Sequence, residues 1–166
     1  MEARPSLFSE KLSTNLKYAE MGFLIVSAIG LILFYSDVPK GLEIILIGLS
    51  ALSTNYFLYA FTLPPKPKPA SDSSPRSFID LLPTVLRKVV YVGCSVSLIG
   101  LLYVFLKLPG GWEMLMIGGS ALVLSCFVSC ILILRNKANV ALLRGPLLRG
   151  VPILALVGYW MVAQGW

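Results

Sequence analysis

The apolar positions of this chain gather into long runs. Four of them, residues 18–35, 42–62, 89–106 and 112–134, are mostly apolar from end to end. A membrane-spanning helix needs roughly 20 such residues, so each run is long enough to cross a bilayer. Short polar turns join them in pairs, SDVPKG at 36–41 and KLPGG at 107–111. Turns this brief connect only antiparallel neighbours, which predicts two helical hairpins, residues 18–62 and 89–134. Between the hairpins lies a cytoplasmic linker, residues 63–88, that carries five prolines in its first fifteen residues, LPPKPKPASDSSPRS. Its first part favours extended polyproline conformations and builds no core. The stretch FIDLLPTVLR at 78–87 reads as a short surface segment leading into the third span.

The ends are less regular. Residues 1–17 form a polar N-terminal segment of mixed charge, without the basic n-region and small-residue cleavage site of a signal peptide, so the first run reads as a retained span. Residues 135–166 comprise a basic loop with two copies of a Leu-Leu-Arg-Gly unit, followed by an apolar stretch at 151–166. Sixteen helical residues reach about 24 Å, against about 30 Å of hydrocarbon. That stretch is a candidate fifth span, with a re-entrant or partner-packed segment as the rival. Trp112, Trp160 and Trp166 sit where interfacial anchors belong. The fold class is therefore an all-α integral membrane protein of two hairpins, four spans and a candidate fifth C-terminal membrane segment.

Composition agrees. The chain is 57% hydrophobic and 13% charged, with a mean hydropathy of +0.82. A soluble domain is nearer 45–50% apolar and about 25% charged. The net charge of +6 acquires meaning through its placement. Arg4, Lys11, Lys17, Lys66, Lys68, Arg76, Arg87, Lys88, Arg135, Lys137, Arg144 and Arg149 share one side of a four-span arrangement, and only Lys40 and Lys107 fall on the other. By the positive-inside rule the N-terminus and the linker are cytoplasmic, which implies a multi-pass protein of a bacterial inner membrane. The basic excess is thus a topology signal and no sign of a nucleic-acid partner.

Sliding the chain along itself until Ser27 meets Ser97 aligns the hairpins without a gap. Ser27-Ala28-Ile29-Gly30-Leu31 faces Ser97-Leu98-Ile99-Gly100-Leu101, and Pro39, Gly41 and Glu43 face Pro109, Gly111 and Glu113. Ile47-Gly48 and Ser50-Ala51-Leu52 face Ile117-Gly118 and Ser120-Ala121-Leu122. Duplication of one hairpin is the natural reading. Two spans separate the copies, so they insert the same way up, whereas many alternating-access transporters use inverted repeats. Pro39 and Pro109 stop the first helices, Gly41 and Gly111 permit the turns, and Glu43 and Glu113 fall in the first turn of the next helix, where its dipole favours a carboxylate. The alternative for Glu43 and Glu113 is a paired ion site at the outer face.

Small and polar residues stripe the spans: Ser27, Gly30, Gly48, Ala51 and Asn55 in the first hairpin, and Gly93, Ser97, Gly100, Gly118, Ala121, Ser125 and Ser129 in the second. Such stripes let membrane helices approach closely, so these are helix-packing candidates. Asn55, the most polar residue well inside a span, is expected to bond across helices. The middles of the four strong spans hold no Asp, Glu, Lys, Arg or His, which is unlike proton relays and coupled pumps. Histidine is absent from the chain, and Cys94, Cys126 and Cys130 lie in apolar runs outside any CxxC. No metal site, cofactor site or catalytic constellation is expected, and the chain does not read as an enzyme.

The segment 100–118, GLLYVFLKLPGGWEMLMIG, resembles the membrane hairpin of GldL-like gliding-motility and type IX secretion proteins of Bacteroidota, through Gly100, Pro109-Gly110 and Met114-Leu115-Met116-Ile117-Gly118. The first hairpin matches more loosely, through Gly30, Pro39, Leu46-Ile47 and Gly48. The resemblance covers the turn of each hairpin with its flanks, and it implies a related scaffold and a Bacteroidota source. In that family a Lys in the first helix and a Glu in the second resemble the ion-handling part of a proton-driven motor. The matching positions here are Phe34 and Val104, and Leu52 and Leu122. The expected function is a small inner-membrane scaffold or accessory subunit, in contact with membrane lipid and with other membrane subunits or copies of itself. The alternatives are a small transporter or channel, with Asn55, Ser125, Ser129, Glu43 and Glu113 lining its path, or a stator-like component of a motility or secretion machine.

Overall fold

A computed structural model describes residues 7–62, 78–134 and 140–163. The proline-rich linker at 63–77, the basic stretch at 135–139, the first six residues and the last three, Trp166 among them, lie outside the described residues. Five helices follow one another: α1 Leu7–Tyr35, α2 Gly41–Phe61, α3 Phe78–Phe105, α4 Gly111–Leu134 and α5 Val140–Ala163. All five are long and apolar enough to cross a membrane. The 78–87 stretch, expected on the surface as a separate segment, is the first part of α3.

Each hairpin turn is a Schellman-type helix end. In the first, the Val38 N–H reaches the Leu33 carbonyl at 3.0 Å and the Asp37 N–H reaches that of Phe34 at 3.2 Å. In the second, Leu108 reaches Tyr103 at 2.9 Å and Lys107 reaches Val104 at 3.0 Å. Each turn has a left-handed residue at φ 54°, Asp37 or Lys107, and the second adds Gly110 at φ 87°; Gly41 and Gly111, the glycines expected to permit the turn, do something else. Gly41 and Gly111 are the first residues of α2 and α4. A Cβ on Gly41 would come within 2.5 Å of the Phe34 nitrogen, and one on Gly111 within 3.0 Å of the Val104 nitrogen. Their role is close approach of the two helix ends.

Further along, the contacts of the first hairpin recur at the aligned positions of the second. A Cβ on Gly48 would strike Ser27 Oγ at 2.6 Å, and one on Gly118 would strike Ser97 Oγ at 2.5 Å. Gly30 lies against the Ile45 backbone and Gly100 against that of Leu115. These are contacts at which small residues bring backbones together. The two hairpins meet through α2 and α3, and α5 lies over α3 and α4. Ile45, Leu98, Leu101, Leu115, Leu122 and Val157 fill the shared core.

α5 extends well before the apolar run at 151–166. The LLRGPLLRG stretch forms its first turns despite Pro146, because Leu143 is buried and Gly150 seats against Val90 and Cys126. At its far end Trp160 meets Phe105 edge-on at 5.1 Å, and Phe105 meets Phe34 at 5.7 Å. α5 therefore runs parallel to α1 and α3 and ends at the level of the hairpin turns.

Candidate functional site

The buried polar groups gather toward the end of the bundle opposite the turns. Ser53 of α2 and Ser95 of α3 face each other with hydroxyls 2.9 Å apart, and the Ser53 hydroxyl also donates to the Ser95 carbonyl at 3.1 Å. Asn55 bonds across helices, its Nδ2 donating to the Leu16 carbonyl of α1 at 3.2 Å. Beside them lies a larger cluster. Arg149 of α5 donates through Nε to Glu20 Oε1 of α1 at 2.6 Å, and Tyr56 donates its hydroxyl to the same oxygen at 3.1 Å. Arg149 Nη1 donates to the Tyr91 hydroxyl at 3.0 Å, and the guanidinium lies 4.9 Å from the centre of the Tyr59 ring. Tyr91 stacks on Tyr59 at 5.3 Å and on Tyr56 at 6.3 Å. A second guanidinium, that of Arg87, lies 5.8 Å from the Tyr91 ring centre while Nη2 donates to Thr62 at 3.0 Å.

The cluster ties together four helices, and its pair of charges joins two whose backbones, among the described residues, are not in contact: α1 packs on α2, α5 on α3 and α4. Glu20 lies about 22 Å along α1 from Tyr35, and Arg149 about 21 Å along α5 from Ala163, so the pair is level. The Glu20 side chain is 8% exposed and that of Arg149 23%. Chemically the arrangement fixes a carboxylate between one cation and one phenol, with the tyrosine faces completing the guanidinium's surroundings.

The expected packing residues occupy the hairpin interfaces. Gly30, Gly48, Gly100 and Gly118 sit at backbone contacts, and Gly93 faces Leu122. Ala51 and Ala121 are half-buried. Ser125 donates back to the Ala121 carbonyl at 2.5 Å. Ser27, Ser97 and Ser129 are buried, and among the described residues their hydroxyls, with Asn55 Oδ1 and the Tyr59 hydroxyl, have no hydrogen-bond partner. Glu43 and Glu113 are exposed in the first turns of α2 and α4, at the opposite end from the charge cluster. The positions aligned with the motor residues of the resembled family are packing positions here: Leu52 and Leu122 are buried, and Phe34 and Val104 cover Gly41 and Gly111. Cys94 and Cys126 are buried free thiols and Cys130 is an exposed one. Among the described residues no three potential metal ligands come together.

Two features escape a reading of the sequence alone. Glu20 and Arg149 count there among the charged flanks of the spans; the signal available is their position, Glu20 already inside the first apolar run and Arg149 just ahead of the last. The second is the outer face of α1. Tyr18, Met21, Ile25, Ala28, Ile32 and Tyr35, spaced alternately by three and four residues, are all exposed. Together they trace one continuous apolar seam along the uncovered face of α1. Comparison with known proteins returns no matching family model, no matching curated relative and no matching solved structure.

Proposed function

We propose that this chain is a five-span scaffold or accessory subunit of a bacterial inner membrane, built from a duplicated hairpin of the kind it resembles in GldL-like proteins. In this arrangement the hairpin turns and the end of α5 face outward, and the N-terminus and the linker face the cytoplasm. Duplication is supported by the Ser27–Gly48 and Ser97–Gly118 contacts at aligned positions. The observation that carries the functional reading is the α1 seam. Among the described residues every other helix packs on at least two neighbours, whereas the backbone of α1 packs on α2 alone, leaving its apolar face open to another membrane helix. The partner is a larger complex or a second copy. Purification from native membranes in a mild detergent is expected to yield a defined complex, disrupted by Ile25→Asn with Ile32→Asn. A monodisperse monomer with nothing co-purifying refutes the reading.

A second reading, an ion-handling channel or stator-like component, has one observation in its favour, the buried Glu20 carboxylate bound to Arg149. Proton flux in proteoliposomes that is abolished by Glu20→Gln would replace the scaffold with it. Flux that is absent, or unaffected by Glu20→Gln, removes it.

A further inference from the structure

The face of the second hairpin carries a groove of about 260 Å³ between α3 and α4. Val89, Val92, Val96, Ile117 and Ala121 form its walls, Gly93 and Gly118 its floor, and Lys88 closes the end away from the turns. The lining is wholly apolar, Lys88 contributing only its aliphatic stem. The first hairpin does not repeat this groove's floor: its residue aligned with Gly93 is Phe23, half-buried against the core. The second hairpin thus has a hydrogen facing Leu122 where the first has a ring.

We propose that this groove holds one acyl chain of an anionic phospholipid of the cytoplasmic leaflet, with its phosphate against the Lys88 ammonium. Three observations carry it. The groove runs from Lys88, at the linker end of the third span, about 12 Å along α3 to Val96 near the middle of the bundle. Its walls offer a lipid tail apolar contact and no hydrogen bond. The single charge lies at the level of the headgroups, where a long lysine side chain reaches the interface. Lys88 is also uncommitted: the one ion pair among the described residues is Glu20–Arg149, and the neighbouring Arg87 is engaged by Thr62 and Tyr91. A Lys near a membrane surface favours an anionic over a zwitterionic headgroup by about fivefold.

This inference rests on the spanning arrangement proposed above, and the two fail differently. Alkaline carbonate extraction of native membranes checks that arrangement first: a protein released by carbonate does not span, and the groove then faces no lipid. For protein that stays in the membrane, the full chain is purified in a non-ionic detergent. Native mass spectrometry then follows titration with phosphatidylglycerol or phosphatidylcholine of identical acyl chains. One tight phosphatidylglycerol adduct is expected, about fivefold favoured over phosphatidylcholine. Lys88→Gln, at an exposed position, is expected to equalise the two lipids. Ala121→Phe, which refills the groove from α4, is expected to remove the tight adduct for both. Equal binding of the two lipids by the unaltered chain, a preference that survives Lys88→Gln, or a tight adduct that survives Ala121→Phe in monodisperse protein overturns the proposal.

Discussion

Replacing Glu20 and Arg149, singly and together, separates a fastening role from a merely tolerated charge. In Arg149→Met the Glu20 carboxylate, 8% exposed, keeps only the Tyr56 hydroxyl. Breaking a buried pair in this way costs about 3–5 kcal/mol, and the surviving phenol bond places the loss near the low end, about 3 kcal/mol. In Glu20→Leu the guanidinium keeps the Tyr91 hydroxyl and the Tyr59 face, and is 23% open to solvent. That change is expected to cost less, about 2 kcal/mol. The double variant exchanges a charged pair for apolar contact and is expected near 2 kcal/mol, far short of the roughly 5 kcal/mol that additivity demands. Unfolding by sodium dodecyl sulfate, followed by tryptophan fluorescence, measures all three. Additive losses, or an Arg149→Met variant as stable as the unaltered chain, would refute the argument that this pair fastens α1 to α5.

The remaining expectations concern the hairpins. Gly118→Ala forces a Cβ to within 2.7 Å of the Ser97 nitrogen and should lower stability by about 1–3 kcal/mol, whereas Gly22→Ala, with nothing within 4 Å, should raise it by up to about 1 kcal/mol; equal effects in the same unfolding assay contradict the packing. Lys107→Gly relieves a left-handed lysine at φ 54° and is expected to stabilise the second turn by about 1 kcal/mol. For topology, Lys40→Cys and Lys107→Cys in a background without Cys94, Cys126 and Cys130 should react with an impermeant maleimide from outside intact cells. Lys88→Cys should react only after permeabilisation, and the reverse pattern inverts the proposed orientation.

How far the fold is legible in advance depends on which physical signal each element carries. Hairpins announce themselves, because an apolar run of spanning length ended by a Pro-containing turn has few other solutions, and the helix pairs α1–α2 and α3–α4 follow. The turn chemistry is misleading for an equally physical reason. The left-handed position that ends a helix usually attracts glycine, but here Asp37 and Lys107 take it, while Gly41 and Gly111 go where a Cβ would strike the neighbouring helix. In α5 local propensity misleads: Pro146 with Gly145 and Gly150 reads as a loop, yet the burial of Leu143 and the seating of Gly150 on α3 and α4 keep the helix intact.

The α1 seam and the charge pair are hidden by opposite causes. A seam shows in sequence only by contrast with polar residues on the other faces, and α1 is apolar all round through its span, so the spacing of Tyr18, Met21, Ile25, Ala28, Ile32 and Tyr35 emerges only once α2 has taken the opposite side. The charges, by contrast, stand in plain view and count with the flanks, because a ledger of sides treats every Glu and Arg near a span end as solvated. Depth is what distinguishes them. The helical rise alone puts Glu20 and Arg149 level, each roughly 20 Å from the turn end of its helix. A carboxylate and a guanidinium at one depth on different helices are each other's least costly partners away from water. With the fifth span taken as starting before Arg149, their pairing follows from positions alone. The Tyr56, Tyr59 and Tyr91 rings around them do not, since tyrosines near span ends usually mark nothing more than the interface.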